Sequence, residues 1–438
     1  MNNNSNSHRI VIVGGGAGGL ELATRLGRKL GKKNLAEVLL IDARMTHIWK
    51  PLFHEVAAGS LNSYSDELNY LAQAKWNHFR FQPGTMSGLN RNEKTITLAP
   101  AFDNTDTELL PERQIPYDTL VIAVGSHTND FGTPGAQEHC LFLDSREQAE
   151  RIHHHLISRS LHYISGEEGP QHTSIAIIGA GATGVELAAE LHSASHLMAR
   201  YGLEENAREI QLTLIEGAPR VVPALPERIS RGVQHQLEKL GIKTLCNTIV
   251  AEVGAHGLKT KEGEQIHADM VIWAAGIKGP EFLQDLDGLE STRTNQLVVE
   301  QTLQTTLDKN IFALGDCASC TITGKSGEPF KVPPRAQAAH QQATLLAKNI
   351  THKLKGEPLQ NYTYRDHGSL ISLSSHSAVG NLMGNLMGDV MLEGWLARMF
   401  YVSLYRLHQI TLYGFWRTGM LMTKDLLEKG TRPGLKLH

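Results

Sequence analysis

The chain has 438 residues, 41% of them hydrophobic and 20% charged, with a formal net charge of −3. The length exceeds what one core supports and calls for two or three domains, while the near-neutral balance gives no reason to expect a nucleic-acid partner. Four scattered cysteines, Cys140, Cys246, Cys317 and Cys320, exclude a disulfide framework; with a polar start and no apolar window of about 18 residues, the expectation is a chain without secretory signal or transmembrane helix, cytoplasmic by default.

The first predicted unit is Arg9 to Asp42. A short apolar run, Ile10–Val13, reads as a buried parallel strand. Gly14, Gly16 and Gly19 follow in the spacing G-x-G-x-x-G, then a helical pattern from about Leu20 to Leu30, then a second strand, Val38–Ile41, ending on Asp42. That is a βαβ dinucleotide-binding unit. Gly14 allows the tight turn, Gly16 lets backbone approach a pyrophosphate, Gly19 lets helix and strand pack closely, and Asp42 can accept hydrogen bonds from an adenosine ribose. The helix N-terminus offers free N–H groups and a positive dipole end to the phosphates.

The loop that follows holds Trp49, Pro51 and Phe53 and leads into a helix. It fits either a surface laid against a flat cofactor ring, with Pro51 as the contacting residue, or plain core. A mixed region with a strand near Lys94–Leu98 ends in Asp118-Thr-Leu-Val-Ile-Ala-Val-Gly125, a buried strand closed by glycine. Residues 145–164 read as a helix. Its adjacent His153, His154 and His155 cannot share one face, so a solvated surface is expected there rather than a metal site.

At Ser174 the opening is repeated. Ile175–Ile178 precede Gly179, Gly181 and Gly184 in the same spacing, and a strand Gln211–Ile215 ends on Glu216. The gap between glycines and acid is longer, so Ser195–Arg208 is assigned to an extended helix and loop. Asp269-Met-Val-Ile-Trp-Ala-Ala-Gly276 matches the earlier closing strand at identical spacing. A repeat of this length implies two copies of one dinucleotide-binding domain.

The strand Asn310–Ala318 ends in Gly315-Asp316, an acid placed either to hold a polyol chain or to cap a helix expected after the next loop. Pro333 and Pro334 mark a helix start, on which Gln337 and Gln341 share a face. From Asn361 the chain turns glycine- and serine-rich, and from Met391 it reads as helical and aromatic, with Trp395, Phe400, Tyr401, Tyr405, Tyr413, Phe415 and Trp416. Seven basic against three acidic residues in this tail, and runs too short to span a bilayer, suit a membrane interface; an ordinary docking or dimer helix is the plainer alternative.

Two dinucleotide sites in one chain suggest two cofactors face to face, a flavin and a nicotinamide. The first unit with Asp316 suits FAD, bound without a covalent link; the second suits NADH, since Glu216 repels a 2′-phosphate, although Arg220 stands nearby. Gly125 and Gly276 complete the cofactor-binding set. Cys317-Ala-Ser-Cys320 is the one C-x-x-C; it lacks a second ligand pair for zinc, and no metal is expected, but its place beside Asp316 keeps a redox pair open.

GGGAGG with PLFHEVAAG, GAGATGVELAAEL, ALGDCA and RAQAAHQQA together resemble type II NADH dehydrogenase, and the likeness runs into the tail, HGSLISLS to RPGLKLH, of the bacterial respiratory form. The resemblance implies a single-subunit, non-proton-pumping NADH:quinone oxidoreductase. NADH would give a hydride to FAD, and a quinone, ubiquinone or menaquinone, would then be reduced to quinol. It implies that Gln337 and Gln341 line the meeting place of flavin and quinone, and that Glu186 stands near the nicotinamide and quinone pockets; the plain role of Glu186 is to complement the helix dipole. It further implies a homodimer attached peripherally to the cytoplasmic face of the inner membrane through C-terminal helices. The stretch 368–380 has no lysine for a proton relay of the family's kind. The expected fold is α/β, two Rossmann-like domains of a flavoprotein plus a C-terminal membrane-associating region. The expected boundaries are 8–145 and 291–360 for the FAD domain, 146–290 for the NADH domain and 361–438 for the tail. A sulfide:quinone oxidoreductase, or a flavoprotein that signals or binds partners, are the alternatives.

Overall fold

The computed structural model describes residues 7–61, 67–103, 105–164, 172–198, 210–324, 327–366, 369–373, 378–384, 388–393 and 405–428. The chain divides into two compact units. The first gathers 1–49, 67–127 and 278–366; the second gathers 50–66, 128–277 and 367–438.

In the first unit a five-stranded parallel sheet runs in the order Ile311–Ala313, Thr119–Ile122, Arg9–Val13, Glu37–Asp42, Arg80–Pro83. The strand before the glycine loop is central, with Val11 paired to Leu120 on one side and Leu39 on the other. Ile10, Val11 and Ile12 are wholly buried, as a strand covered on both faces requires. The helix Ala17–Lys29 covers one face with Leu20, Leu22 and Leu26, all fully buried. Each such leucine contributes about 1.5–3 kcal/mol through burial.

The second unit repeats the plan. Its parallel sheet runs Cys140–Phe142, Met270–Trp273, Thr173–Ile178, Ile210–Ile215, Lys243–Leu245. Again the strand before the glycines is central, the acid-ending strand lies on one side and the closing strand on the other. The shared aspartate of the two closing strands has a structural cause. Asp118 Oδ2 accepts the Arg9 backbone N–H at 2.7 Å, and Asp269 Oδ2 accepts that of Ser174 at 2.9 Å. Each satisfies a donor at the start of the central strand, which would otherwise be an unpaired edge group. Each unit also carries a three-stranded antiparallel meander, built on Thr95–Leu98 in the first and Gly257–Thr260 in the second.

Three expectations need correction. The helix Arg146–Ile164 exposes His154 and His155, but His153 is buried; its ring fills the space beside Gly59, where a Cβ would collide with it. After Gly315-Asp316 comes a 3₁₀ turn and then a strand, Ala318–Thr323, rather than a helix; the next helix is Ala336–Leu354. The tail is not helical from Met391. That residue lies in the strand Gly388–Glu393, the third of an antiparallel sheet with Ser369–Ser372 and Ala378–Gly384. Helices occupy 405–413 and Phe415–Glu428. Trp395, Phe400 and Tyr401 fall outside the described residues, as does most of 195–208 beyond the helix Ala182–Met198. No helix among the described residues is long and apolar enough to cross a membrane.

Candidate functional site

The first glycine loop is built by its sequence. Gly14 adopts φ +102°, a conformation that side chains rarely reach, and a Cβ on it would strike the Ala123 carbonyl. Its N–H donates to Ile41 O at 2.8 Å. A Cβ on Gly19 would collide with the Gly14 carbonyl, so close packing of helix on strand demands glycine there. Gly16, by contrast, has nothing within 4 Å of a Cβ position and caps the helix Ala17–Lys29, whose first turn carries no acid. An open backbone edge at a helix N-terminus without a competing carboxylate is what a pyrophosphate requires.

Asp42 holds this loop. Its Oδ2 accepts the Gly15 N–H at 2.6 Å and its Oδ1 the Arg44 N–H at 2.8 Å. Burial pushes its carboxyl above the usual range, against the opposing pull of those two donors. Each oxygen retains a lone pair for a ribose hydroxyl.

The second loop is the same device. Gly179 has φ +102° and donates to Ile215 O at 2.7 Å. Gly184 abuts the Gly179 carbonyl, and Gly181 is open. Glu216 accepts from Ala180 N–H at 2.8 Å and Ala218 N–H at 2.9 Å. The first turn of the helix Ala182–Met198 has no acid; Glu186 lies just beyond it, 8% exposed, with its Oε2 3.8 Å from His54 Nδ1. Burial drives His54 down to about 4, so it is neutral at physiological pH. One turn on, Glu190 accepts from Ser60 Oγ at 3.2 Å. Segment 50–61 thus packs with the second unit, and Pro51, at the head of the helix Phe53–Ala58, is grouped there and not with the first loop.

Gly125, Gly276 and Gly315 all have positive φ, +73°, +68° and +74°. Gly276 packs under the Phe131 ring, where a side chain would clash. Asp316 is fixed from two sides: its Oδ2 accepts from Ser126 Oγ at 3.0 Å, and its carbonyl from Gln296 Nε2 at 2.8 Å. Buried Gln342 accepts the Gly315 N–H at 2.7 Å, anchoring this turn to the helix Ala336–Leu354. Sequence reasoning took Gln337 and Gln341 from that helix and missed Gln342, which the double glutamine could have flagged. Gln341 pairs with the Arg365 backbone in both directions, Nε2 to O at 2.7 Å and N to Oε1 at 3.0 Å; Gln337 Nε2 donates to Asp366 Oδ1 at 3.2 Å. Between them, His340 meets Glu21, a buried carboxylate also gripped by Arg25.

Cys317 and Cys320 are both free and buried. The first donates to Leu314 O at 3.2 Å and the second lies 3.9 Å from Glu300 O; burial raises each thiol to about 11. A thiol protonated at neutral pH and turned to a backbone carbonyl is a poor nucleophile.

Two parallel sheets, each with a glycine loop and terminal acid, define a flavoprotein-type nucleotide oxidoreductase, and residues 8–343 match the model of the pyridine nucleotide-disulphide oxidoreductase family, to which the chain belongs. Within that class it belongs to the type II NADH:quinone oxidoreductases. It is 44% identical to the Haemophilus influenzae enzyme of that name, over 98% of this chain and 99% of that one. Identity to the Staphylococcus aureus enzyme is 28%, over 85% and 89%. Among solved structures, Plasmodium falciparum NDH2 in complex with NADH superimposes with a TM-score of 0.83 at 19% identity, covering 99% of this chain and 100% of that one. The Aquifex aeolicus sulfide:quinone oxidoreductase gives 0.73 at 19% identity, covering 93% and 92%, which shows a shared fold.

Proposed function

We propose that the chain holds FAD non-covalently on the first loop and NADH on the second, and reduces a quinone, ubiquinone or menaquinone, without pumping protons. The observation that carries the reading is the duplicated open loop with its carboxylate, in a chain 44% identical to a type II NADH:quinone oxidoreductase. Gly14, Gly16, Gly19, Asp42, Gly125 and Asp316 would serve FAD; Gly179, Gly181, Gly184, Glu216 and Gly276 would serve NADH. A flavin held there supplies the two-electron chemistry that links hydride removal from NADH to quinone reduction.

The protein's own residues bind, orient and discriminate. Glu216 accepts ribose hydroxyls and disfavours a 2′-phosphate. Glu186, Gln337 and Gln341 are the proposed catalytic set. Gln341 keeps spare capacity for a quinone carbonyl, since an amide offers two donors and two acceptor lone pairs and its two bonds to the Arg365 backbone use one of each.

The reading extends to peripheral attachment at the cytoplasmic face of the bacterial inner membrane, with no nucleic acid involved; the homodimer and the absence of proton pumping follow from family resemblance. Support for attachment comes from the helix Phe415–Glu428. Phe415 is 76% exposed, Trp416 88%, Met420 64% and Leu427 76%, with Arg417 and Lys424 exposed beside them. Aromatic and apolar side chains flanked by basic ones suit the headgroup boundary.

The test is steady-state NADH oxidation by purified enzyme with and without a soluble ubiquinone analogue, plus identification of flavin released by heat. Quinone-dependent turnover and released FAD are expected. Slow oxidation indifferent to quinone would instead point to a flavoprotein with a binding role. Flavin reduction by sulfide rather than NADH would favour the sulfide reading, which the buried thiols oppose.

A further inference from the structure

Three consecutive glycines, Gly14, Gly15 and Gly16, make the first loop unusually pliable, because each reaches conformations closed to other residues. The second loop reads Gly179-Ala180-Gly181 and carries a side chain at the middle position. The first cannot. A Cβ on Gly15 would lie 2.5 Å from Tyr70 Cζ and closer still to the hydroxyl. The Tyr70 ring, 2% exposed, stacks on Phe81 with centroids 5.0 Å apart. Its hydroxyl donates to the Gly15 carbonyl at 2.8 Å, and the His47 ring hydrogen-bonds the same backbone.

No peptide bond among the described residues is cis, so the Gly15–Gly16 peptide is planar and trans, with its N–H directed opposite to its C=O. Holding the carbonyl on Tyr70 turns the Gly16 N–H to the other edge, where the loop is open and the helix begins. We propose that Tyr70 is a positioning residue for the first dinucleotide: its hydroxyl fixes this one peptide with the N–H aimed at the pyrophosphate. Tyr70 therefore demands glycine at 15, and then removes the freedom that this glycine brings. In the second loop the matching Ala180 carbonyl is held by the backbone N–H of Val222 at 2.7 Å, so no side chain has that task.

The inference rests on the assignment of FAD to the first loop, and the test separates the two. Parent holoenzyme is stripped of flavin and titrated with FAD, and phosphorus NMR records the bound diphosphate. A parent that carries and rebinds no FAD defeats the cofactor assignment. With FAD binding established, Tyr70→Phe should raise the FAD dissociation constant about tenfold, the worth of one neutral hydrogen bond, and shift the diphosphate resonances. NADH affinity should hold. Phe81→Leu is the packing control: it removes the stacked ring and keeps the hydroxyl, so it should lower Tm while leaving the resonances in place. The proposal is overturned if Tyr70→Phe binds FAD like the parent with unshifted resonances. It is equally overturned if both variants weaken FAD in proportion to their loss of Tm, or if Phe81→Leu folds and Tyr70→Phe does not; in these cases the tyrosine serves the fold, not the cofactor.

Discussion

In the first unit a phenol from a separate helix, Tyr70, holds the carbonyl between the loop's first two glycine positions; in the second a backbone N–H, that of Val222, holds its counterpart. The two loops otherwise share their key features: a φ of +102° at Gly14 and Gly179, and a carboxylate that accepts the next N–H. The difference has a cost on each side. The first loop uses a large buried ring and gives up any side chain at 15. The second keeps Ala180, but places a buried β-branched residue at φ +42°. Such strain runs to about 1–3 kcal/mol and persists only where surrounding structure enforces it. One loop geometry is thus reached by two routes, of which only the first depends on side chains that substitution can remove.

The comparison is broken most severely at the third glycine. Gly19→Val and Gly184→Val each force a side chain into the carbonyl of the loop's first glycine. A forced backbone shift of about 3 kcal/mol corresponds to roughly a hundredfold loss of affinity. Gly19→Val should lose FAD. Gly184→Val should retain FAD, visible by its absorbance, yet show almost no reduction by NADH in stopped-flow. Loss of both cofactors in either variant would mean that the loops are not independent sites.

A smaller effect is expected at the acids. Glu216→Gln keeps one acceptor for the two N–H groups and removes the charge that opposes a 2′-phosphate. The NADH to NADPH ratio of kcat/KM should fall by about fivefold to tenfold, from roughly 1 kcal/mol of lost repulsion, with the change mainly in NADPH. Asp42→Asn should leave that ratio alone if, as proposed, the first loop holds FAD and only the second holds the nicotinamide cofactor. An unchanged ratio in Glu216→Gln would transfer the discrimination elsewhere, with Arg220 the first place to look.

How far the sequence carried these sites depends on distance along the chain. Glycines, terminal acids and the paired closing strands were legible because each acts through its own backbone or a neighbour within one βαβ unit. Asp118 and Asp269 showed as a repeat before their shared task, capping the central strand, was visible. Tyr70 was not legible: it serves a loop far away in sequence, and nothing local distinguishes a latch from a core residue. For segment 50–61 the sequence leaves a flat-ring contact and plain core both open, because the contacts that hold it, His54 on Glu186 and Ser60 on Glu190, come from a helix over a hundred residues later. The tail was read as helical one element too early, since the apolar Met391 and Leu392 suit a strand as well as a helix.

The smallest effect should come from Val222→Gly, and its smallness is what sharpens the contrast with Tyr70. Glycine relieves the strain at φ +42°, a gain of order 1–3 kcal/mol. It also deletes a buried isopropyl group, a loss of about 1.5–3 kcal/mol, and loosens the unfolded chain by up to about 1 kcal/mol. The sum is a modest destabilisation of about 1 kcal/mol, seen as a drop of about 1 °C in the Tm of a chain this size. The N–H that grips Ala180 remains, because every residue but proline supplies one, and proline cannot take a positive φ. NADH affinity, measured by titration of the folded variant, should therefore change less than about threefold, well short of the tenfold expected for FAD in Tyr70→Phe. A large loss of NADH affinity at nearly unchanged Tm would show that the Val222 side chain, not its backbone, sets the second loop, and the two latches would then be the same kind of device.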